Sequence, residues 1–513
     1  MARVRYRPPM ALETVYFDTA DRDLSANGVT LRRRTGGTDA GWHVTIGTGD
    51  RRIAMQSARG SGDAADLTVP SRILDLVRVH TRCRALTQIA RLNTRRTVVD
   101  LMDGQGHLLA EVSDDRVAAA SVGLRAESRV QHWREWAVEV IDARAEGLLD
   151  GVGRLLETAG ARVSAAGSTV EKVVGPTADP LDPQAPLAGH GNTTGHDGGS
   201  LGVRSVLTAT VRAQLKVLKG WDPLVRRDVE DSVHQYRVAC RTLRSLLQTY
   251  APLLDPEATR AVVKDLRKLG RLLSVARDAE VARDQVAQRI GALPGGRGGP
   301  VAVLIHARAV KRLQRSQARR YATAHARQLR RMRGAWYAEV LDRLDAFALE
   351  VPLRADLPPQ DAADAAESMV PLAADQVDTV LALAAAVGPG EGPGEGPGER
   401  LERMHGVRKE AKRLRYAVKA VQDATGLDLG TELAARMRTA KALQEVLGEH
   451  RDSVLFQQHV LTTSRRAAAR GEDTFGYGVL FAAELALQAR TEAEAEALVA
   501  RLAGSGRPDA SDG

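Results

Sequence analysis

The sequence predicts an α+β multidomain protein, with an antiparallel β-sheet domain first and an all-α bundle after it. Three observations carry this. Short strand-like segments separated by turn signals fill the first third, and helix-period runs fill most of the remainder. Between them residues 175–200, "GPTADPLDPQAPLAGHGNTTGHDGGS", are rich in Gly, Pro and small polar residues and have no period, as a linker does.

In chain order, strands are expected at "ETVYFDT", "VTLRRRTG", "GWHVTIG", "RRIAMQS", "RRTVVDLMDGQGHLLAEV" and "WREWAVEV". The "DGQG" inside the fifth is a hairpin signal. Helices are expected over "SRILDLVRV" and "RAEGLLDGVGRLLETAG". The pattern leaves open whether the sheet closes on itself. After the linker, "SVLTATVRAQLKVLKG", "LRSLLQTYAPLL", "AVVKDLRKLGRLLSVARD" and "ELAARMRTAKALQEVLGEHRD" space their apolar residues by three and four, and Gly/Pro stretches at 295–300 and 388–399 interrupt a helical bundle. The expected limits are a first domain over 1–174, the linker, a helical domain over 201–503, and a disordered tail over 504–513.

The formal net charge is +9, which favours an anionic partner, while aromatics at 4% argue against a base-stacking surface. Two cysteines exclude a disulfide scaffold and fit a reducing cytoplasm. The N-terminus "MARVRYRPPM" has no apolar signal core, and "VLALAAAV" is too short to span a bilayer, so a cytoplasmic protein without a membrane partner is expected.

The helical part repeats itself. "HQYRVACRTLR" places His234, Arg237, Arg241 and Arg244 at offsets of three, seven and ten, and "HGVRKEAKRLR" places His405, Arg408, Lys412 and Arg415 the same way. On a helix those positions share an arc of about 80°. Lys264 and Arg267 match Arg438 and Lys441, and Arg277-Asp278 match Arg451-Asp452. Two repeats follow, at about 201–294 and 365–470, with a basic helical insert between them that carries no Asp or Glu from Leu304 to Arg333. One basic stripe alone reads as a solvated helix face. The same self-repelling stripe twice favours an external anion. Rigid rows of Arg and Lys suit repeated phosphates, and a linear polyanion without bases fits at least as well as DNA.

These segments, with "LLSVARDAEV" and "LQEVLGEHRDS", resemble the motifs of the CHAD domain, a histidine-rich helical family, over nearly all of 201–513. The resemblance implies a duplicated bundle that binds inorganic polyphosphate and can associate with polyphosphate granules. It places His234, Arg237, Arg241, Arg244, His405, Arg408, Lys409, Lys412 and Arg415 on the polymer, with Lys264, Arg267, Arg438 and Lys441 extending the surface. The histidines either contact phosphate or cap neighbouring carbonyls, and Asp278 and Asp452 orient arginines. No cofactor is required for that binding.

The N-terminal words "VYFDTADRDLSANGVTLRRRTGGTDAGWH" resemble the CYTH domain, the triphosphate tunnel metalloenzyme family, through about residue 174. The implied fold is an antiparallel β-tunnel, here incomplete, joined to the all-α duplicated helical bundle. The tunnel's phosphate ligands would be Arg32, Arg34, Arg91 and Arg95, and its Mg or Mn ligands Glu111, Glu135 and Glu139. The family's opening Glu-x-Glu-x-Lys strand is absent. Thr45, Ala137 and Thr169 stand where lysine, glutamate and lysine are expected. Losing such groups costs orders of magnitude in rate, so a degenerate tunnel is expected. The primary expectation is a polyphosphate-binding protein. A metal-dependent triphosphatase recruited to polyphosphate is the first alternative, and nonspecific nucleic-acid binding the second.

Overall fold

The computed structural model describes residues 3–47, 53–57, 68–122, 130–142, 145, 147–164, 167–184, 202–357, 364–387, 397–427 and 430–505. Most of the expected linker (185–200), most of the repeat at 388–399 and most of the expected tail lie outside them. The chain separates into two compact units, Met1–Pro180 and Leu181–Gly513.

The first unit holds eight strands: β1 (Arg3–Tyr6), β2 (Met10–Asp18), β3 (Val29–Thr35), β4 (Gly41–Ile46), β5 (Ile53–Ser57), β6 (Thr87–Met102), β7 (Leu108–Ser121) and β8 (Val130–Val140). All pairings are antiparallel, in the order β5-β4-β3-β2-β6-β7-β8. Asp103 Oδ1 builds the expected β6–β7 turn by accepting the Gln105 and His107 amides at 2.8 and 2.9 Å.

β1 was not expected. It pairs with residues 99–102 of β6, beside the stretch paired with β2, so β1 and β2 run in line along one edge of β6. Pro8 and Pro9, which lack amide donors, separate them. A tunnel would need β5 and β8 to meet, or a further strand to join them. Neither occurs among the described residues, and the sheet is open rather than closed.

Residues paired across an antiparallel ladder share a face. One face of β2–β4 carries Val15, Phe17, Leu31, Trp42 and Val44 and packs on α2 (Ser71–Thr81) through Ile73, Leu76 and Val77. The opposite face carries Tyr16, Leu92, Val117 and Ala119 and packs on α4 (Thr169–Val174) through Val170 and Val173. Ser168 caps α4 by accepting the Glu171 amide, and Glu171 accepts the Gly167 amide in return. Two further helices, α1 (Asp23–Ala26) and α3 (Leu148–Thr158), complete the unit.

The second unit is helical: α5 (Val203–Arg226), α6 (Ser232–Thr249), α7 (Pro256–Gly291), α8 (Pro300–Val303), α9 (Ala307–Met332), α10 (Ala335–Leu349), α11 (Ala365–Val387), α12 (Pro397–Thr425), α13 (Thr431–Ala468) and α14 (Phe475–Ser505). Each helix of α5-α6-α7-α9 packs on the next, and so does each of α11-α12-α13-α14. The basic segment read as an insert is therefore the fourth helix of the first half. It packs on α7 as α14 packs on α13, burying Leu313, Gln317, Gln328 and Met332. The segment at 295–300 forms a 3-10 turn into α8, whose proline opens the helix. Asp255 caps α7 by accepting the Ala258 amide at 2.8 Å, ahead of Pro256.

Candidate functional site

The two halves meet across α6 and α12. Leu243 and Leu246 of α6, and Leu414 and Val418 of α12, are buried, whereas Val238 is only half-buried. The stripe residues His234, Arg237, Arg241, Arg244, His405, Arg408, Lys412 and Arg415 are all half-buried. The apolar face of each helix makes the core and thereby fixes its basic stripe at the rim.

The stripes converge. Tyr416 lies between the two halves, with the Arg241 guanidinium 5.7 Å and that of Arg415 4.9 Å from its ring centre. Burial, and then the neighbouring Arg408 and Arg241, push the Lys412 ammonium down to about 7. The Arg408 guanidinium is lowered by burial and by Arg451 and Arg241, against the opposing pull of Asp452. Arg244 is lowered by burial and by Arg241, Arg267 and Arg413. His234 is lowered by burial and by Arg277, which favours the neutral imidazole. Burial raises Asp452. Cations from both repeats are thus close enough to act on one another.

Equivalent positions do equivalent jobs. Arg237 donates to the Ser274 carbonyl at 3.2 Å and sits 3.6 Å from Asp278 on α7. Its counterpart Arg408 lies on α13 at Gly448, where an added Cβ would stand 3.1 Å from the guanidinium. Asp452 is near enough to oppose the fall in its pKa. Ser274 and Gly448 occupy the same place in "SVARD" and "GEHRD". Arg277 is held by Asp231 at 3.4 Å and Glu280 at 2.8 Å. Among the described residues the Nε atoms of Arg408 and Arg415 are buried without a hydrogen-bond partner.

The outlying residues divide. Arg267 is close enough to Arg244 to lower its pKa, while Lys264, Lys409 and Arg438 are exposed. Lys441 is exposed and 3.7 Å from Glu445. Sequence reasoning missed Arg413 and Tyr416. The tyrosine's signal was its place directly after Arg415 on a basic helix.

In the first unit Arg32 and Arg34 share a sheet face with Glu111, Glu135 and Glu139, but Arg91 and Arg95 lie on the other. The β6 register turns Arg96 to the face of Arg34 instead. Counting in twos from the wrong arginine of "NTRRT" reverses the face. Arg91 pairs with Glu13 at 3.4 Å, and Arg95 lines a groove of about 870 Å³ with Arg116 and His132. Arg32 and Thr45 line a cavity of about 550 Å³ against α4.

Glu111, Glu135 and Asp115 are already engaged. Arg96 grips Asp115 with two bonds of 2.8 and 2.6 Å, Lys172 holds Glu135 at 2.6 Å, and Arg7 holds Glu111 and Asp100. Glu139 stands opposite Glu111 in register. Among the described residues no group of three or more His, Cys, Asp or Glu comes together to hold a metal. The three glutamates do not fit a divalent-ion site as they stand.

The model of the CHAD domain matches residues 209–461, which contain both stripes. Residues 209–461 form a CHAD domain. No CYTH family model matches the sheet unit. The uncharacterized proteins MT2285 and Rv2226 of Mycobacterium tuberculosis are each 35% identical over 517 residues, covering 98% of this chain and 92% of theirs. That likeness includes the sheet unit as well as the CHAD domain. Among solved structures, PptA from Streptomyces chartreusis is 20% identical with a TM-score of 0.45, covering 59% of this chain and 100% of that one. The CHAD domain from the plant Ricinus communis is 20% identical with a TM-score of 0.43, covering 59% and 92%. Among the described residues no helix is long and apolar enough to cross a membrane.

Proposed function

We propose that this protein binds inorganic polyphosphate along the facing stripes of α6 and α12, and that its sheet unit does not act as a triphosphatase. One observation carries the reading: α6 and α12 pack together so that Arg241 comes within 5.7 Å of the Tyr416 ring, beside Arg415, and burial, then Arg408, then Arg241 from the other repeat hold Lys412 down to about 7. Such a surface is self-repelling until an external anion neutralises it. A linear phosphate polymer offers repeated charge to both stripes and needs no base-reading groups, and polyphosphate is the ligand that the CHAD resemblance implies. The engaged state of Glu111, Glu135 and Asp115 supports a sheet unit without metal chemistry.

The reading predicts tight binding of long-chain polyphosphate that weakens steeply with salt and resists duplex DNA added at equal phosphate concentration. Arg241→Glu with Lys412→Glu should abolish binding at the stripes while helicity persists. Displacement by DNA at parity would instead favour a nonspecific nucleic-acid surface. Association with polyphosphate granules in the cytoplasm would follow from the same binding and is tested by the same double variant.

A further inference from the structure

A second basic concavity lies away from the α6/α12 stripes, between the first half of α9 and the last turns of α13. It has a volume of about 770 Å³ and is lined by Arg308, Lys311, Arg312, Arg315, Arg319, Arg466 and Arg470, with Ser316 and Thr463 between them. On α9 the cations recur at three- and four-residue spacing on one face, opposite Leu313 and Gln317, which are buried. Arg466 lies in the last turn of α13 and Arg470 in the turn just past its end, and the buried Ala467 anchors this segment to the core shared with α9.

Two of the seven have identified partners. Arg312 pairs with Glu472, and Arg470 donates to the Arg466 carbonyl at 2.8 Å. Among the described residues no carboxylate lies within ion-pair distance of Arg308, Lys311, Arg315, Arg319 or Arg466. A basic face serving only solubility would be convex and would intersperse acids. Here like charges face one another across a concave wall, a repulsive arrangement that a multivalent anion relieves.

We infer that this groove is a second, independent oligophosphate site. About 21 Å of α13 separates Arg466 from Asp452 beside the stripes, at roughly 1.5 Å per residue. A polyphosphate chain long enough to reach both sites engages the protein at two points, and the second contact becomes intramolecular. This bivalency rests on the polyphosphate reading of the stripes, whereas the groove itself does not.

The test is calorimetric titration of the full chain with tripolyphosphate, too short to bridge the sites. Wild type should bind two molecules per chain. Arg315→Glu with Arg466→Glu should bind one, and so should Arg241→Glu with Lys412→Glu. Long-chain polyphosphate should lose about 100-fold in affinity in either double variant, the size expected when avidity is removed. Arg315→Gln with Arg466→Gln, checked for helicity, serves if charge reversal disturbs folding. A wild-type stoichiometry of one, lost only in the α6/α12 variant, would overturn the groove and leave the stripes standing. Loss only in the α9/α13 variant would keep the groove and overturn the stripes.

Discussion

Lys412 offers the sharpest quantitative prediction. In the free protein its ammonium is held at about 7 by burial and by Arg408, Arg241 and Arg415, with Asp452 opposing them. A bound polyanion reverses the local potential and should return the group toward its ordinary value of about 10.4. Binding above neutrality then carries a proton uptake. The binding constant should fall by up to about tenfold per pH unit and by about 50-fold between pH 7 and 9 if the ordinary value is fully restored. The other cations named around it are guanidiniums, which stay charged over this range.

Isothermal titration in two buffers of different ionisation enthalpy measures the uptake directly at pH 8. Lys412→Arg, permanently charged, should bind with a flat profile and no uptake. An unchanged slope in that variant, or a flat profile in wild type, would refute the assignment. The same group acts on stability with the opposite sense. Its folded value lies below its unfolded value, so between about 7 and about 10.5 the unfolded chain binds more protons. Stability of the free protein should therefore rise with pH through that window. Lys412→Met should raise stability at pH 7 while weakening polyphosphate binding.

Gly448→Val should place side-chain atoms against the Arg408 guanidinium, displacing it without changing net charge, and weaken polyphosphate binding several-fold in the same titration. Asp222, fully buried, accepts from Arg226 Nε and the Tyr337 hydroxyl at 2.5 Å each, and Tyr337 meets Tyr236 at 2.6 Å. Asp222→Asn removes the buried carboxylate that Arg226 and Tyr337 both donate to and should cost about 3–5 kcal/mol, read from the shift of the urea midpoint. Purified full-length protein with tripolyphosphate and Mg²⁺ or Mn²⁺ should release no phosphate above background, and sustained turnover would reinstate the triphosphatase alternative.

Local rules carried much of the architecture. Period-two and period-3.6 patterning separates a sheet from a bundle, and the "DGQG" turn and the Asp255-Pro256 cap each rest on neighbours in sequence. The duplication was legible because both stripes and both Arg-Asp pairs recur in the same order. Register in the sheet was less legible, since "NTRRT" offers two adjacent arginines and only the ladder to β2 and β7 decides which faces Arg34. The fate of the acidic residues was hidden as well: Arg7, Arg96 and Lys172 come from separate segments to hold Glu111, Asp115 and Glu135.

The sequence by itself determined that the chain carries two self-repelling basic stripes on amphipathic helices, because helical phase depends only on residue spacing. Tertiary structure alone decided that the stripes face one another, that Tyr416 stands between them, and that the basic α9 is an integral helix whose outer face meets Arg466 and Arg470. Those facts depend on which helices bury their apolar sides together. Electrostatic coupling depends on distance in space, and separation along the chain does not encode it.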